Sequence, residues 1–102
     1  MKLLELVSRY QAGQRDFRNL NLVAVNLRNA NLSGADFSGA NFTQANLARA
    51  NLSKVNLSSA TLTGANLSET KLIQADLTNA DLSNVDLSQA DLRGAILQGV
   101  IY

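Results

Sequence analysis

No cysteine, histidine, proline or tryptophan occurs anywhere in this chain of 102 residues. Without cysteine no disulfide framework can form, and the redox compartment stays open. Without cysteine and histidine a Cys/His metal centre is excluded, and no metal or other cofactor is expected. The missing histidine also removes the usual base that activates a serine nucleophile. An excess of charge of one sign is lacking too. The formal net charge is +1, which argues against a strongly steered binder of nucleic acid or of a membrane. No apolar run approaches the length of a membrane span, and residues 1–12 have neither the long apolar core nor the small-residue cleavage site of a signal peptide. The expected location is therefore the cytoplasm, and the length predicts one domain.

What is present is a repeat of five. Ala30-Asn31-Leu32-Ser33-Gly34 is followed by Ala35-Asp36-Phe37-Ser38-Gly39, then by Ala40-Asn41-Phe42-Thr43-Gln44, and the pattern runs from about Arg15 to Gly99. Its order is a small residue, Asn or Asp, Leu or Phe, Ser or Thr, then any residue. The large residue recurs without a break from Phe17 to Leu97, and the residue two before it is mostly Ala, with Val at 25, 55, 85 and 100. A period of five fits neither the 3.6 of a helix nor the 2 of a strand, and a fixed short period points to a solenoid. If each pentapeptide forms one side of a coil, four sides close a square of twenty residues. The next coil then stacks at about 4.8 Å. The large residue and the small one before it point inward, and the other three face solvent.

Ahead of the repeat, Met1 to Ala12 reads as a helix, with Leu3, Leu6, Val7 and Tyr10 on one face and Gly13 as its stop. So short a helix needs something to cover, and the first coil is the expected floor. A twenty-residue register sets Phe17 under Phe37 and Leu57, and Leu22 under Phe42, Leu62, Leu82 and Tyr102. It also pairs Arg49 with Glu69 and Lys71 with Asp91. Asn26, Asn46 and Asn66 fall in one column, where side-chain amides are expected to bond up the stack. Thr70 brings a hydroxyl into an inward slot, and a backbone carbonyl is its expected partner.

The runs Ala50-Asn51-Leu52-Ser53-Lys54 and Ala75-Asp76-Leu77-Thr78-Asn79 resemble the pentapeptide-repeat family, A(N/D)LXX. The segment Gly13 to Phe17 after a short helix is similar to cyanobacterial members. The resemblance implies an all-β solenoid: a right-handed quadrilateral β-helix, here of about four coils, with a short N-terminal capping α-helix. Residues 1–13 form the capping helix and 14–102 the pentapeptide-repeat β-helix on this reading. The resemblance implies little about activity, since most members have no assigned biochemistry.

Chemistry-bearing constellations are few. Asp76, Asp81, Asp86 and Asp91 hold the same repeat position on four successive sides. They should form a girdle of carboxylates that diverge rather than converge on a cation or a substrate. The outward serines lack a base, Lys54 and Lys71 lie in no evident pocket, and the glycines are scattered singly rather than gathered in a phosphate loop. No catalytic residue is expected, and the chain reads as no enzyme. Thr61-Leu62-Thr63, with Thr43 and Ser83 above and below Thr63, gives only a fragment of a hydroxyl ladder. Residues 1–54 carry seven Lys/Arg and three Asp/Glu, about +4, whereas 55–102 carry two and five, about −3. The basic residues lie on several faces, which argues against direct nucleic-acid binding.

The last residues break the pattern. Ile96 and Ile101 stand where Asn or Asp stood before, and Val100 and Tyr102 follow them. An uncovered coil presents unpaired strand edges, which proteins normally protect. Three readings are open: the end pairs with a second copy, the apolar tail folds over as a cap, or the chain is a truncated piece. The leading functional expectation is a non-catalytic structural or protein-interaction module with an unidentified protein partner. Ile96, Val100, Ile101 and Tyr102 form a possible homodimer end, and Asp76, Asp81, Asp86 and Asp91 a possible interaction surface. The resemblance also implies an alternative, a DNA mimic that binds and modulates DNA gyrase, as some family members do with long, dimeric, acidic rods. This chain is shorter, close to neutral and without loop insertions.

Overall fold

The computed structural model describes residues 1–102. Beyond a single helix the chain winds with a pitch of twenty residues, and parallel bridges join Asp16 to Asp36, Asn21 to Asn41, Asn26 to Asn46 and Asn31 to Asn51. Three of these columns continue upward to Asp76–Ile96, Asp81–Ile101 and Lys71–Asp91, and the third in chain order ends at Asn46–Asn66. Side one thus carries 16–20, 36–40, 56–60, 76–80 and 96–100. Sides two, three and four begin at 21, 26 and 31. Each side offers one bridged residue per coil and then turns, so no extended strand forms. The body is a short square rod of 33 × 23 × 23 Å.

Three backbone bonds knit each side to the coil above, one of them from the turn residue, as when Asn19 N–H donates to the Ser38 carbonyl at 3.0 Å. Phe17 N–H donates to the Asp36 carbonyl at 2.8 Å, and Asp36 N–H donates back to the Arg15 carbonyl at 2.8 Å. At every corner after the first the large residue's carbonyl accepts from the amide three residues on, as Leu27 does from Ala30 at 3.0 Å. The second central residue of these turns has positive φ, +64° at Asn29 and +60° at Lys54, as a type II turn requires. The fifth repeat position, open to any residue by its sequence pattern, is therefore a left-handed site. Gly or Asn fills it often, and Ala24, Gln44, Arg49, Lys54, Ser59, Glu69 and Gln74 adopt it under constraint.

The inward slots form one continuous core from Phe17 to Leu82, with Ala or Val between the large residues. Phe17 and Phe37 stack with centroids 5.3 Å apart, and Phe37 meets Phe42 edge-on at 5.3 Å. Burying each Leu contributes about 2 kcal/mol, and the alternation with Ala leaves room for four large groups per layer. Thr70, at 0% exposure, donates its hydroxyl to the Leu47 carbonyl at 2.7 Å. The outward positions are less open than the pattern alone implies, since Ala48 is only 2% exposed.

The helix α1 spans Leu3–Gln11, slightly shorter than the sequence reading, and seats Leu6 fully in the core. Arg9 pairs with Glu5 one turn earlier at 3.1 Å. Gly13, at φ +102°, lets the chain leave the helix. Arg15 closes the junction: it donates to the Tyr10 carbonyl at 2.8 Å and lies 3.7 Å over the Tyr10 ring. The Tyr10 hydroxyl donates to the Ser33 carbonyl at 2.6 Å, fastening α1 to side four. No helix is long and apolar enough to cross a membrane.

Candidate interaction surface

The Asn and Asp residues of the repeat do not form the expected amide ladder. Asn26, Asn46 and Asn66 each turn their Oδ1 back to accept the amide two residues on, at 3.1, 3.0 and 2.9 Å. The reason is local: the turn leaves that amide without a partner, and a short acceptor side chain satisfies it as an Asx turn. Every Asn or Asp in the slot, from Asp16 to Asp91, makes this bond.

The four carboxylates Asp76, Asp81, Asp86 and Asp91 lie on sides one to four in turn. Nowhere do three acidic groups gather closely enough to hold a metal ion. All four titrate below the usual carboxylate range, each for a local reason. The Thr78 hydroxyl donates to Asp76 at 2.6 Å and the Ser83 hydroxyl to Asp81 at 2.6 Å, each joined by its own amide. The Ser88 amide holds Asp86 down. Arg93 holds Asp91 down through a fork at 2.9 and 2.6 Å. Asp91 is therefore not the partner of Lys71. The register is as expected, but Arg93 on the same side reaches the carboxylate first, and Lys71 acts on it only through space. Arg49 and Glu69 do pair, at 2.8 Å. Asp76, Asp81 and Asp86 are left as acidic groups without a bonded cation.

Side three of the upper rod holds a feature that the repeat does not announce. The bridge from Asn66 to Asp86 is absent, and Glu69 N–H bonds to the Gln89 carbonyl at 2.9 Å where the pattern calls for Ser88. Gln89 alone among the turn residues of sides one to four lacks a positive φ. The coil leaves the ladder over 86–90 and rejoins it at Asp91. Nothing in the residue types signals it, since Gln44 and Gln74 hold at the same repeat position the left-handed backbone that Gln89 does not.

The residues at the far end do not fold back as a cap. Ile96 and Ile101 continue the coil by bridging Asp76 and Asp81. As Ile in the Asx slot they make no turn bond, and they stand 49% and 53% exposed on adjacent sides one and two. Tyr102 does not enter the column above Leu82, because at 75% exposure it lies outside the rod. Val100, Leu97, Leu92 and Leu87 point inward but are only half-buried, with no coil above them. The amides of Leu92 and Leu97 and the carbonyls of Ala90 and Ala95 are unpaired, while their counterparts at Leu72, Leu77, Thr70 and Ala75 are all bonded. Ile96, Ile101, Val100 and Tyr102 are thus brought together at one apolar end, whereas the carboxylates are spread round the shaft below it.

Comparison with known proteins agrees with this geometry. The model of pentapeptide repeats matches in eight copies over residues 21–58 and 60–99, and no catalytic family is indicated. The chain is similar to the pentapeptide repeat protein alr5209 of Nostoc PCC 7120: identity is 39%, coverage is 92% of this chain and 74% of that one, and the TM-score is 0.54. It is also similar to HetL of Nostoc sp. strain PCC 7120, a protein involved in heterocyst differentiation regulation, with 39% identity over 98% of this chain and 46% of that chain, and a TM-score of 0.50. A third likeness is to QnrB1, a plasmid-mediated fluoroquinolone resistance protein, with 28% identity over 83% of this chain and 56% of that one, at a TM-score of 0.53. The chain spans about half the length of these last two. No match was found among curated proteins. Such neighbours are right-handed quadrilateral β-helices, and the chain belongs to the pentapeptide repeat family.

Proposed function

We propose that the protein is a non-catalytic interaction module, a right-handed rod of about four coils whose apolar end seats a further coil from a second copy of the same chain. The observation that carries this reading is the end itself. Ile96 and Ile101 are exposed where every earlier Asp or Asn was bonded, above a ring of half-buried Leu residues and unpaired backbone groups. A matching coil would pair those groups and stack aliphatic on aliphatic. Light scattering during size-exclusion tests it: a concentration-dependent dimer is expected, and a strict monomer at several hundred micromolar rejects it.

A second reading is engagement of DNA gyrase as a mimic of duplex DNA. Two facts favour it: the likeness to a fluoroquinolone resistance protein, and the position of Asp76, Asp81 and Asp86, without bonded cations, on the half of the rod nearest the apolar end. End-to-end pairing would bring two such acidic halves together. A gyrase supercoiling assay, with and without a fluoroquinolone, decides it. Inhibition or protection at micromolar protein is expected on this reading, and absence of both leaves the structural module.

A further inference from the structure

Of the chain's arginines, Arg28 alone has no bonded partner for its guanidinium. Arg9, Arg18, Arg49 and Arg93 each hold a carboxylate, and Arg15 holds the Tyr10 carbonyl. Arg28 stands beside a cavity of about 390 Å³ between α1 and the corner where sides three and four of the first coil meet. The helix is narrower than the square it covers, so after Leu6 is seated in the core a cleft remains along one edge. Leu3, Leu4, Val7 and Tyr10 form its helical wall and Ala30 lies on the opposite one. Leu4 is 83% exposed, the most open large apolar side chain of the protein. No carboxylate lines the cleft. Glu69, the acid that feels Arg28 through space, is already bonded to Arg49 at 2.8 Å.

An apolar wall with one exposed planar cation, unpaired within the protein, at its rim selects a particular chemistry. The cleft has the size of a small-molecule site. An anion of two coplanar oxygens matches the guanidinium fork with two parallel charge-assisted bonds. An aliphatic body covers Leu4, which otherwise faces water, and the open part of half-buried Val7. We propose that the cleft between α1 and the first coil binds a small amphipathic carboxylate, head group on Arg28 and chain along Leu3, Leu4 and Val7. This site lies at the opposite end of the rod from Ile96 and Ile101 and does not depend on self-association.

Decanoate and octanoate are suitable probes, titrated into the full chain and followed by amide NMR shifts and calorimetry. Saturable shifts at Leu4, Val7, Ala30 and Asn31 are expected in the low-millimolar range or below, with decanoate binding several-fold more tightly than octanoate. Arg28→Gln should weaken decanoate about ten-fold or more and leave the melting temperature unchanged, because Arg28 makes no side-chain bond in the folded protein. Leu4→Gln should weaken it several-fold, separating the loss of wall from the loss of charge. Decyltrimethylammonium, with the same chain and the opposite charge, should bind poorly. The proposal is overturned if that cation binds as well as decanoate, if Arg28→Gln binds with wild-type affinity, or if the shifts cluster at residues 96–102.

Discussion

Replacing Leu57 and Leu97 by alanine makes a paired test of how the rod is held together. Both occupy the same inward column, above Phe37 and Leu77 in register, but Leu57 is sealed by coils on both sides and Leu97 by one only. Leu57→Ala removes a side chain that has no exposure and leaves a void that the backbone ladders above and below keep from collapsing. Such truncations cost about 3–5 kcal/mol, a large fraction of the roughly 5–15 kcal/mol that a domain of this size possesses. Leu97 is already partly open to water, and its truncation should cost about 1 kcal/mol. Urea unfolding followed by circular dichroism reads the difference. With a slope of about 1–2 kcal/mol/M for a small protein, the midpoint should fall by roughly 1.5–5 M for Leu57→Ala and by about 1 M or less for Leu97→Ala. Leu57→Asp should not fold, since it leaves an unpaired charge in the sealed interior. Equal costs for the two alanine variants, or a folded Leu57→Asp, would refute the stacked interior as the source of stability.

The left-handed turn position offers a gain rather than a loss. Ala24 holds φ +58° against its steric preference, so Ala24→Gly should raise stability by about 0.5–1 kcal/mol. Ser33→Gly, one position earlier in its turn, where φ is not positive, should lower it by a similar amount, and thermal melts compare the two. The depressed titration of Asp76, Asp81, Asp86 and Asp91 predicts acid sensitivity of a definite sign. Folding favours their charged forms, so that stability is fully present above about pH 4. It is lost as the pH falls through the lower folded-state values. Asp81→Asn keeps the Oδ1 acceptor for its turn amide but not the charge, so it should lower the melting temperature slightly at pH 7 and thereby flatten the acid limb of the profile. An unchanged acid limb would show that the turn bonds do not carry the linkage.

The shape was legible in the sequence because one physical requirement repeats. A large apolar residue every five positions, with Ala or Val two before it, fixes which atoms go inward. The pairing of Arg49 with Glu69 and the burial of Thr70 then follow from counting by twenty. What was not legible depended on competition between neighbours. The Asn column reads as a ladder until the turn amide two residues away is considered, and that amide is nearer than the next coil. Lys71 reads as the partner of Asp91 until Arg93, two residues along the same side, is allowed to reach it. The step at 86–90 depends on whether Gln89 adopts a left-handed backbone, which Gln44 and Gln74 do and Gln89 does not. No difference in residue type separates those three. The cleft beside Arg28 arises from the width of α1 against the width of the coil, a quantity that no periodicity encodes.

The Asx slot also sharpens the meaning of the apolar end. Thr61 and Lys71 occupy the slot without making the turn bond, yet both remain bridged to the coils on either side. The bond is therefore a local contribution, of order 1 kcal/mol, and not a condition of folding. Ile96 and Ile101 forgo it and add exposed aliphatic surface besides. For the isolated rod Asn is the better residue at both places. A double variant, Ile96→Asn with Ile101→Asn, thus separates two requirements that point in opposite directions. Turn chemistry predicts that the monomer gains about 1–2 kcal/mol in all and melts higher at micromolar concentration. The docking proposal predicts that the same variant loses self-association, which light scattering at high concentration reads directly. A variant that is more stable and strictly monomeric, against a wild type that associates, would show that the isoleucines serve the interface at the expense of the coil. A variant that associates as the wild type does would place the interface elsewhere and leave the two isoleucines without a role in it.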